Sequence, residues 1–340
     1  MEKLLSVNQI KTEFKTEKGS VTSVDDVSFD LKEGETICLV GESGCGKSVT
    51  SLSIMQLLEK NGKVTEGTIE FNGRNLLDLS ENEMRKIRGN TISMIFQEPM
   101  TSLNPVLTIG DQLSESIRLH MGYSKKQAKD YSIEMLKKVG IPRAEEIIDD
   151  YPHRLSGGMR QRVMIAMALS CKPKLLIADE PTTALDVTIQ AQILKLMKQL
   201  RKESKTSIIL ITHDLGVVAE MADKVAVMYA GQVVEETDVF TLFDNPKHPY
   251  TLGLMKSIPH ITNPDDMRLD SIPGSVPSLH NMPKGCRFYD RCPFAMDRCL
   301  EEQPKLKPIK DRQSHSIRCF LYDQKNHRAG GTTIKKEVRT

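Results

Sequence analysis

An eight-residue glycine-rich loop constrains this chain more than any other feature. The sequence GESGCGKS, Gly41 to Ser48, follows the apolar run TICLV and opens a stretch with helical periodicity. Glycines at this spacing let backbone N–H groups turn inward towards phosphate oxygens, and the following helix adds its N-terminal positive potential. The loop therefore predicts a strand, a phosphate-binding turn and a helix in direct succession, within a layered α/β fold.

The residues of this loop have separate expected roles. Lys47 is expected to reach the β- and γ-phosphates of a nucleotide, and Ser48 to hold Mg²⁺. Cys45 is expected to be a small filler, although a helix N-terminus can lower a thiol pKa and make it sensitive to alkylation. The predicted nucleotide contacts from this region are Gly41, Glu42, Ser43, Gly44, Cys45, Gly46, Lys47, Ser48 and Val49.

An acidic pair supplies the second half of the predicted site. The sequence LLIADE has four apolar residues followed by Asp179 and Glu180. Such a run is typical of a buried parallel strand, and ligands of α/β sheets bind at the carboxyl ends of the strands. Asp179 is therefore expected to orient Mg²⁺, and Glu180 to polarise a water in line with the γ-phosphate.

The remaining composition narrows the class of protein. The formal net charge is +2, so bulk electrostatics gives no indication of nucleic-acid binding. The start of the chain lacks the pattern of a signal peptide, and no apolar run is long enough for a spanning helix. An odd number of cysteines, seven, in a chain expected to stay inside the cell argues against a disulfide framework.

The organisation changes along the chain. Strand-like and helical patterns alternate up to about residue 240, with period-two alternation near the N-terminus that predicts an antiparallel subsheet. Ten of the sixteen prolines then fall between Pro246 and Pro308, where helical periodicity fades. We expect a Pro- and Cys-rich, loop-dominated appendage after this point, and a disordered polar tail at 326–340.

A third motif indicates the family. LSGGMRQR, Leu155 to Arg162, opens a helical stretch and resembles the signature of ABC-transporter ATPases. The resemblance covers residues 1 to about 260. It implies that Ser156, Gly157 and Gly158 cap the γ-phosphate bound by an opposite subunit, so that ATP lies between two such chains. It also implies an ATPase domain at 1–255 with a helical subdomain at about 98–170.

The same resemblance assigns four further residues. Gln97, in MIFQEP, is similar to the glutamine that senses Mg²⁺ or the attacking water. Asp186, in TALD, matches the loop that follows the acidic pair, and His213, in LITHD, matches the histidine that bonds the γ-phosphate. Phe14 is the aromatic residue expected to stack on adenine, and an ordinary strand residue is the alternative. Glu180, His213 and Gln97 form the implied catalytic set, and Ser48, Gln97 and Asp179 the implied Mg²⁺ set.

Longer stretches resemble the ATPase subunits of oligopeptide and dipeptide importers of bacteria. HPYTLGLMKSIP and GCRFYDRCPFAMDRC are among them. Nickel importers are close relatives, so import of nickel or another metal chelate is the alternative within transport. The resemblance implies a second, homologous ATPase chain in a heterodimer, two membrane permeases and an extracellular solute-binding protein. It places the chain peripherally, on the cytoplasmic face of the cell membrane. A soluble ABC ATPase of translation or repair is the alternative from a different class, and a single ATPase domain disfavours it.

Four cysteines in the region 256–325 form the last candidate site. Cys286, Cys292, Cys299 and Cys319 have a spacing that matches neither the usual zinc pairs nor the common ferredoxin patterns. Four thiols in a segment with little core of its own nevertheless suggest a metal. The family resemblance favours a [4Fe–4S] cluster, and zinc, with His315 as a reserve ligand, and plain core cysteines remain open. Cys38 and Cys171 are expected to lie in the core.

Overall fold

Twelve strands form two sheets in the part of the chain that the structure, a computed structural model, describes: residues 3–97, 102–183, 186–257, 272–309 and 312–323. The predicted disordered tail at 326–340 lies outside these residues. So do the first residues of the predicted helical subdomain and residues 258–271, 310–311 and 324–325 of the predicted C-terminal domain.

The N-terminal sheet has four antiparallel strands in the order β2-β1-β4-β5. The alternation of apolar and polar residues in these strands is typical of an antiparallel sheet, because one face of each strand is buried and the other faces solvent. The prediction of an antiparallel subsheet is confirmed. Its strands are β1 (Lys3–Thr16), β2 (Gly19–Lys32), β4 (Gly62–Phe71) and β5 (Arg74–Asn75).

The central sheet has eight strands in the order β11-β12-β10-β9-β3-β8-β7-β6. The five from β9 to β6 are parallel, and β10, β12 and β11 are antiparallel. Their bounds are β3 Thr36–Val40, β6 Ile92–Ile95, β7 Leu175–Asp179, β8 Ser207–Thr212, β9 Lys224–Tyr229, β10 Gln232–Asp238, β11 Lys307–Ile309 and β12 Arg312–Ile317.

Helices flank this sheet and fill the region between β6 and β7. Several of them begin at a side-chain cap; Ser124, for example, forms a capping box with Gln127. The helices are α1 Lys47–Met55, α2 Glu81–Ile87, α3 Ile109–Met121, α4 Lys125–Lys138, α5 Ala144–Ile147, α6 Gly157–Leu169, α7 Val187–Ser204, α8 Leu215–Met221, α9 Val239–Asp244, α10 Pro249–Lys256 and α11 Asp297–Glu301. None of the described helices is long and apolar enough to cross a membrane.

Two hydrophobic cores lie on opposite faces of the central sheet. In β3, Ile37 and Leu39 pack into the core shared with the N-terminal sheet, whereas Cys38 and Val40 pack into the core on the helical side. Because alternate side chains of a strand point to opposite faces, a strand buried on both sides is apolar throughout. This explains why the run TICLV has no polar alternation.

The C-terminal segment, residues 272–309 and 312–323, is built onto the central sheet. Strand β12 pairs with β10 through Glu235 and Ile317, and β11 adds one further strand. Phe288 of this segment is buried in the helical-side core. The segment thus has short regular elements, and it shares its core with the rest of the molecule.

Candidate nucleotide-binding site

The glycine-rich loop joins the carboxyl end of β3 to the first turn of α1. Lys47 is 5% exposed, and its Nζ donates to the carbonyl oxygens of Gly41 at 2.7 Å and Glu42 at 3.0 Å. Ser43 and Gly44 are exposed at the tip, and Val49 lies half-buried in α1. The loop therefore surrounds a buried ammonium group with its own carbonyl oxygens.

Two glycines of the loop are required by close backbone contacts. Gly41 has φ of +154°, and a Cβ there would lie 2.1 Å from the carbonyl oxygen of Met228. Gly46 has φ of +99°, and its Cβ would lie 2.9 Å from the carbonyl oxygen of Ser23. Both positions combine a backbone conformation that favours glycine with a lack of space for a side chain.

Cys45 is fully buried within the loop, and burial raises the pKa of its thiol. A buried thiol with a raised pKa is a packing residue of low reactivity. The filler interpretation is therefore the one that the structure supports, and the expected sensitivity to alkylation is not.

Asp179, at the end of β7, is buried beside the loop. It is 4% exposed, and its Oδ1 atom has no hydrogen-bond partner. Burial raises the pKa of this carboxyl group, Glu180 adds repulsion, and a hydrogen bond from Ser48 opposes both. A buried carboxylate with an unused oxygen, next to a serine hydroxyl, has the donor chemistry that Mg²⁺ prefers.

Glu180 is the centre of a hydrogen-bond cluster at the carboxyl edge of the sheet. Its Oε2 accepts from Gln97 Nε2 at 3.1 Å and from Thr183 Oγ1 at 2.9 Å, and its Oε1 lies 3.2 Å from His213 Nδ1. Gln97 follows β6, and His213 follows β8. Because β6, β7 and β8 are parallel neighbours, their carboxyl ends bring these residues together.

The surroundings of Glu180 keep it ionised. Burial acts to raise its pKa, but hydrogen bonds from Thr183 and His213 and the charge of Lys47 outweigh burial, so that the pKa is lowered. The residue also has φ of +46°, an uncommon conformation for a side chain other than glycine. Such backbone strain is frequent at functional sites.

Ser156 is the N-cap of α6, and Gly157 and Gly158 are its first two residues. The Ser156 hydroxyl caps the helix by accepting from Met159 N, and a Cβ on Gly157 would meet no atom within 4 Å. Gly158 packs against Ile189, which lies in the first turn of α7. Asp186 is the N-cap of α7 and accepts from Ile189 N at 2.9 Å. The helix start is thus exposed and open.

Phe14 lies on β1, half-buried. Its partners across the sheet are Val21 of β2 and Gly62 of β4, and its ring covers Gly62 so closely that a Cβ there would lie 2.6 Å from Phe14 Cε1. The stacking of Phe14 on adenine stays a prediction.

Contacts to the loop from Tyr250 and from Arg291 of the C-terminal segment were not expected from the sequence. Arg291 forms two hydrogen bonds with the Glu42 carboxylate, and Tyr250 OH accepts from Glu42 N at 2.9 Å. The residues lie more than 200 positions apart, and no motif signals such a pair. The one sequence signal is Glu42 itself, since an acidic residue at the second position of the loop suggests a basic partner somewhere in the chain.

The four cysteines of the C-terminal segment line one small cavity of about 10 Å³, together with His248, Phe288 and Phe320 among others. Burial raises the pKa of Cys286 to about 11 and that of Cys319 to about 12. Within the described residues, no three His, Cys, Asp or Glu side chains are arranged to hold a metal ion.

His315 does not reach this cavity, contrary to its expected role as a reserve ligand. It is 1% exposed in β12, and its Nε2 lies 2.7 Å from Oε1 of the buried Glu235. A buried carboxylate needs a polar partner, and His315 fills this structural role for Glu235. Cys38 is fully buried, as predicted, and Cys171 is partly buried.

Comparison with known families places two models on this chain. The model "ABC transporter" matches residues 24–183, and the model "Oligopeptide/dipeptide transporter, C-terminal region" matches residues 234–299. The first includes the glycine-rich loop and the acidic pair, and the second includes Tyr250, Arg291 and three of the four cysteines. Two separate parts of the chain thus match different models.

Similar proteins span almost the whole chain. The oligopeptide transport ATP-binding protein AppD of Bacillus subtilis is 58% identical over 95% of this chain and 98% of its own length. The dipeptide transport ATP-binding proteins DppD of Bacillus subtilis and of Escherichia coli are 53% and 50% identical, over 97% and 92% of this chain and 98% and 95% of their own lengths. Among solved structures, the dimeric ATP-binding cassette MJ0796 in a post-hydrolysis state with ADP and Pi has a TM-score of 0.63 at 29% identity, over 69% of this chain and 98% of that one. The chain therefore belongs to the family of ABC-transporter ATPases, within its group of oligopeptide and dipeptide transport ATP-binding proteins.

Proposed function

We propose that this chain hydrolyses ATP to energise the import of oligopeptides or dipeptides through partner permeases. The observation that carries the proposal is the cluster in which Gln97, Thr183 and His213 surround the ionised Glu180, beside the phosphate-binding loop. The relatives are named for oligopeptides and dipeptides, which favours peptides over nickel as the cargo.

The chemistry follows from this arrangement. Lys47 and the N-terminus of α1 bind the phosphates, and Glu180 takes the proton of the attacking water, because its lowered pKa keeps it ionised. Gln97 and His213 hold Glu180 in position and lie where the water and the γ-phosphate are expected. Most of the rate enhancement is expected to come from this positioning and from charge neutralisation.

Ser48 and Asp179 are the proposed Mg²⁺ ligands, with Gln97 as a third. The unpartnered Oδ1 of Asp179 and the Ser48 hydroxyl fit the ion as a set of oxygen donors. Bound Mg²⁺ would neutralise charge on the β- and γ-phosphates. Asp179 would then no longer be an unpaired buried carboxylate.

The site is proposed to be completed by a second ATPase chain. Ser156, Gly157 and Gly158 begin a 13-residue helix with an exposed N-terminus, which suits a phosphate from another chain. The likeness to a dimeric ATP-binding cassette supports this arrangement. We propose a homologous partner in a heterodimer, two permeases and a solute-binding protein, with this chain on the cytoplasmic face of the membrane. The ATPase domain at 1–255 and the C-terminal domain at 256–325 remain proposed boundaries.

Transport in membrane vesicles tests the proposal. The chain is co-expressed with its genomic permease and ATPase partners, and uptake of a labelled tripeptide is measured with ATP on the cytoplasmic side. We expect ATP-dependent uptake that Lys47→Ala abolishes, with Lys60→Ala, on an exposed loop, as the matched control. Uptake unaffected by Lys47→Ala would refute the proposal.

The four cysteines are proposed to hold a [4Fe–4S] cluster, with zinc as the alternative. Four thiols that line one apolar cavity are the donor type that either group takes, although the described side chains are not arranged as a metal site in their present positions. The cavity of about 10 Å³ has room for about one water, so the thiols would have to move apart around a cluster. A cluster would order this segment.

Anaerobic purification tests the metal. We expect absorbance near 400 nm with about four irons and four sulfides per chain, lost in Cys292→Ser, and retained in Cys171→Ser. A colourless protein with one zinc per chain would refute the cluster, and one without metal would refute both groups.

A further inference from the structure

The C-terminal segment holds the phosphate-binding loop through one arginine. We propose that Arg291 is a positioning residue for ATP binding, acting through Glu42 of the loop. The inference rests on the proposed nucleotide site and adds that high affinity at this site requires a residue 249 positions away. The hydrogen bonds from its side chain to the loop both go to the Glu42 carboxylate, so its effect on nucleotide is indirect.

The contact between Arg291 and Glu42 has the geometry of a strong pair. Arg291 NH1 donates to Glu42 Oε2 at 2.6 Å, and NH2 donates to Oε1 at 2.9 Å. The arginine side chain is only 4% exposed and the glutamate side chain 30%. Two parallel charge-assisted hydrogen bonds in a site with little water fix both the distance and the orientation of the carboxylate.

Arg291 is itself immobilised. Its Nε donates to Pro273 O at 2.9 Å, and NH2 also donates to Ile272 O at 3.3 Å. The guanidinium carbon lies 5.6 Å from the centre of the Tyr229 ring and 6.0 Å from that of Phe288. These contacts fix the orientation of the Arg291 guanidinium group, so the Glu42 carboxylate binds to a side chain that is already held in place.

Glu42 is one of the two loop residues whose carbonyl oxygens hold Lys47, and the other is Gly41. The Glu42 carbonyl oxygen accepts from Lys47 Nζ at 3.0 Å, while its N–H donates to Tyr250 OH. Glu42 is thus held at its carboxylate and its N–H, and its carbonyl oxygen faces the lysine that is proposed to bind phosphate. The catalytic cluster around Glu180 lies just past the carboxyl ends of β6, β7 and β8. Loss of the Arg291 anchor should therefore weaken ATP binding and leave turnover at saturation nearly unchanged.

Arg291→Lys tests this inference, since lysine keeps the charge but loses the two-pronged contact. The matched control is Arg318→Lys. Arg318 is also 4% exposed and also joins the C-terminal segment to a carboxylate of the ATPase core, Asp26 at 3.0 Å, but Asp26 lies outside the phosphate-binding loop.

The readout is the Kd of the full-length chain for a fluorescent, non-hydrolysable ATP analogue with Mg²⁺, measured beside the melting temperature. We expect Kd to rise about tenfold in Arg291→Lys and less than twofold in Arg318→Lys. In the assembled transporter, KM for ATP should rise while kcat stays within twofold.

Three outcomes decide the question. Equal losses of melting temperature in the two variants with unchanged Kd would show that Arg291 is only structural, and would overturn the inference. Should Arg291→Lys fail to fold, Glu42→Gln should raise Kd to the same extent, and an unchanged Kd there would overturn the inference as well. Failure of the unsubstituted chain to bind the analogue would overturn the proposed nucleotide site itself, a result distinct from the other two.

Discussion

Replacement of Glu180 by glutamine separates ATP binding from hydrolysis. The carboxylate accepts from Gln97 and Thr183 and lies against His213, and an amide of the same shape keeps one acceptor oxygen for them. The side-chain amide of Gln97 can flip and His213 can change tautomer, so the cluster keeps its packing. What the variant loses is the group that takes a proton.

The expected size of the loss follows from this role. Removal of a positioned general base costs about 10²- to 10⁴-fold in rate, equivalent to about 3–5 kcal/mol of transition-state stabilisation. The lowered pKa of Glu180 supports the full effect, because the unsubstituted group is ionised at neutral pH. The Kd for Mg-ATP should change less than threefold, since Lys47 and Asp179 are untouched.

Single-turnover hydrolysis in the assembled transporter measures this loss. The partner ATPase site is silenced, so that the signal comes only from the site with this chain's loop. Thr183→Val is the matched control, because it removes one hydrogen bond to Glu180 but keeps the carboxylate. Hydrolysis in Glu180→Gln at the rate of the unsubstituted transporter would refute Glu180 as the base.

Three further predictions follow from the site. Asp179→Asn should raise the melting temperature of the nucleotide-free chain by about 2 °C. Burial raises the pKa of Asp179, so at neutral pH its ionised carboxylate lowers the stability of the folded chain, and the neutral amide removes this cost. The same variant should abolish Mg²⁺-dependent ATP binding, and a lower melting temperature would contradict the prediction. Gly41→Ala should weaken ATP binding at least tenfold, because its Cβ would lie 2.1 Å from Met228 O, whereas Gly19→Ala, also at positive φ but in open space, should leave binding intact. The hydrolysis rate should fall at acid pH with an apparent pKa below the ordinary value of glutamate, because the pKa of Glu180 is lowered. The contact with His213 contributes to this lowering, so the fall should occur at higher pH in His213→Gln. An unchanged pH profile would show that His213 does not act on Glu180.

Local sequence predicted the parts of the site that lie in contiguous motifs. The loop Gly41 to Ser48 and the pair Asp179 and Glu180 could be located because each sits directly after an apolar strand. The position of strands within a sheet is fixed by pairing between distant segments, which a single sequence does not encode locally. The extension of the central sheet by β11 and β12 was for that reason not predicted, and the segment was described only as loop-dominated.

The long-range polar pairs were not predictable for a related reason. The sequence places His315 close to Cys319 and so suggests a reserve ligand for zinc, whereas the structure pairs His315 with Glu235, 80 residues away. Buried charges need partners, but the identity of the partner depends on the packing of the whole molecule. For the same reason, the sequence alone does not predict that Arg291 pairs with Glu42.

The cysteine-rich segment and the phosphate-binding loop belong to one packed unit. Phe288 lines the four-cysteine cavity and also packs on Tyr229 and Tyr250, and Tyr250 binds Glu42 of the loop. Arg287, Arg291 and Arg318 each adjoin one of the four cysteines in sequence, and they bind Asp25, Glu42 and Asp26 of the ATPase core. Coupling between two sites is reciprocal in free energy. A ligand or a structural change at the cysteines that moves Arg291 must therefore alter the affinity for ATP, and bound ATP must alter the equilibrium of that change by the same factor. The C-terminal segment is therefore part of the nucleotide-binding machinery in energetic terms, although the groups proposed for phosphate chemistry lie outside it.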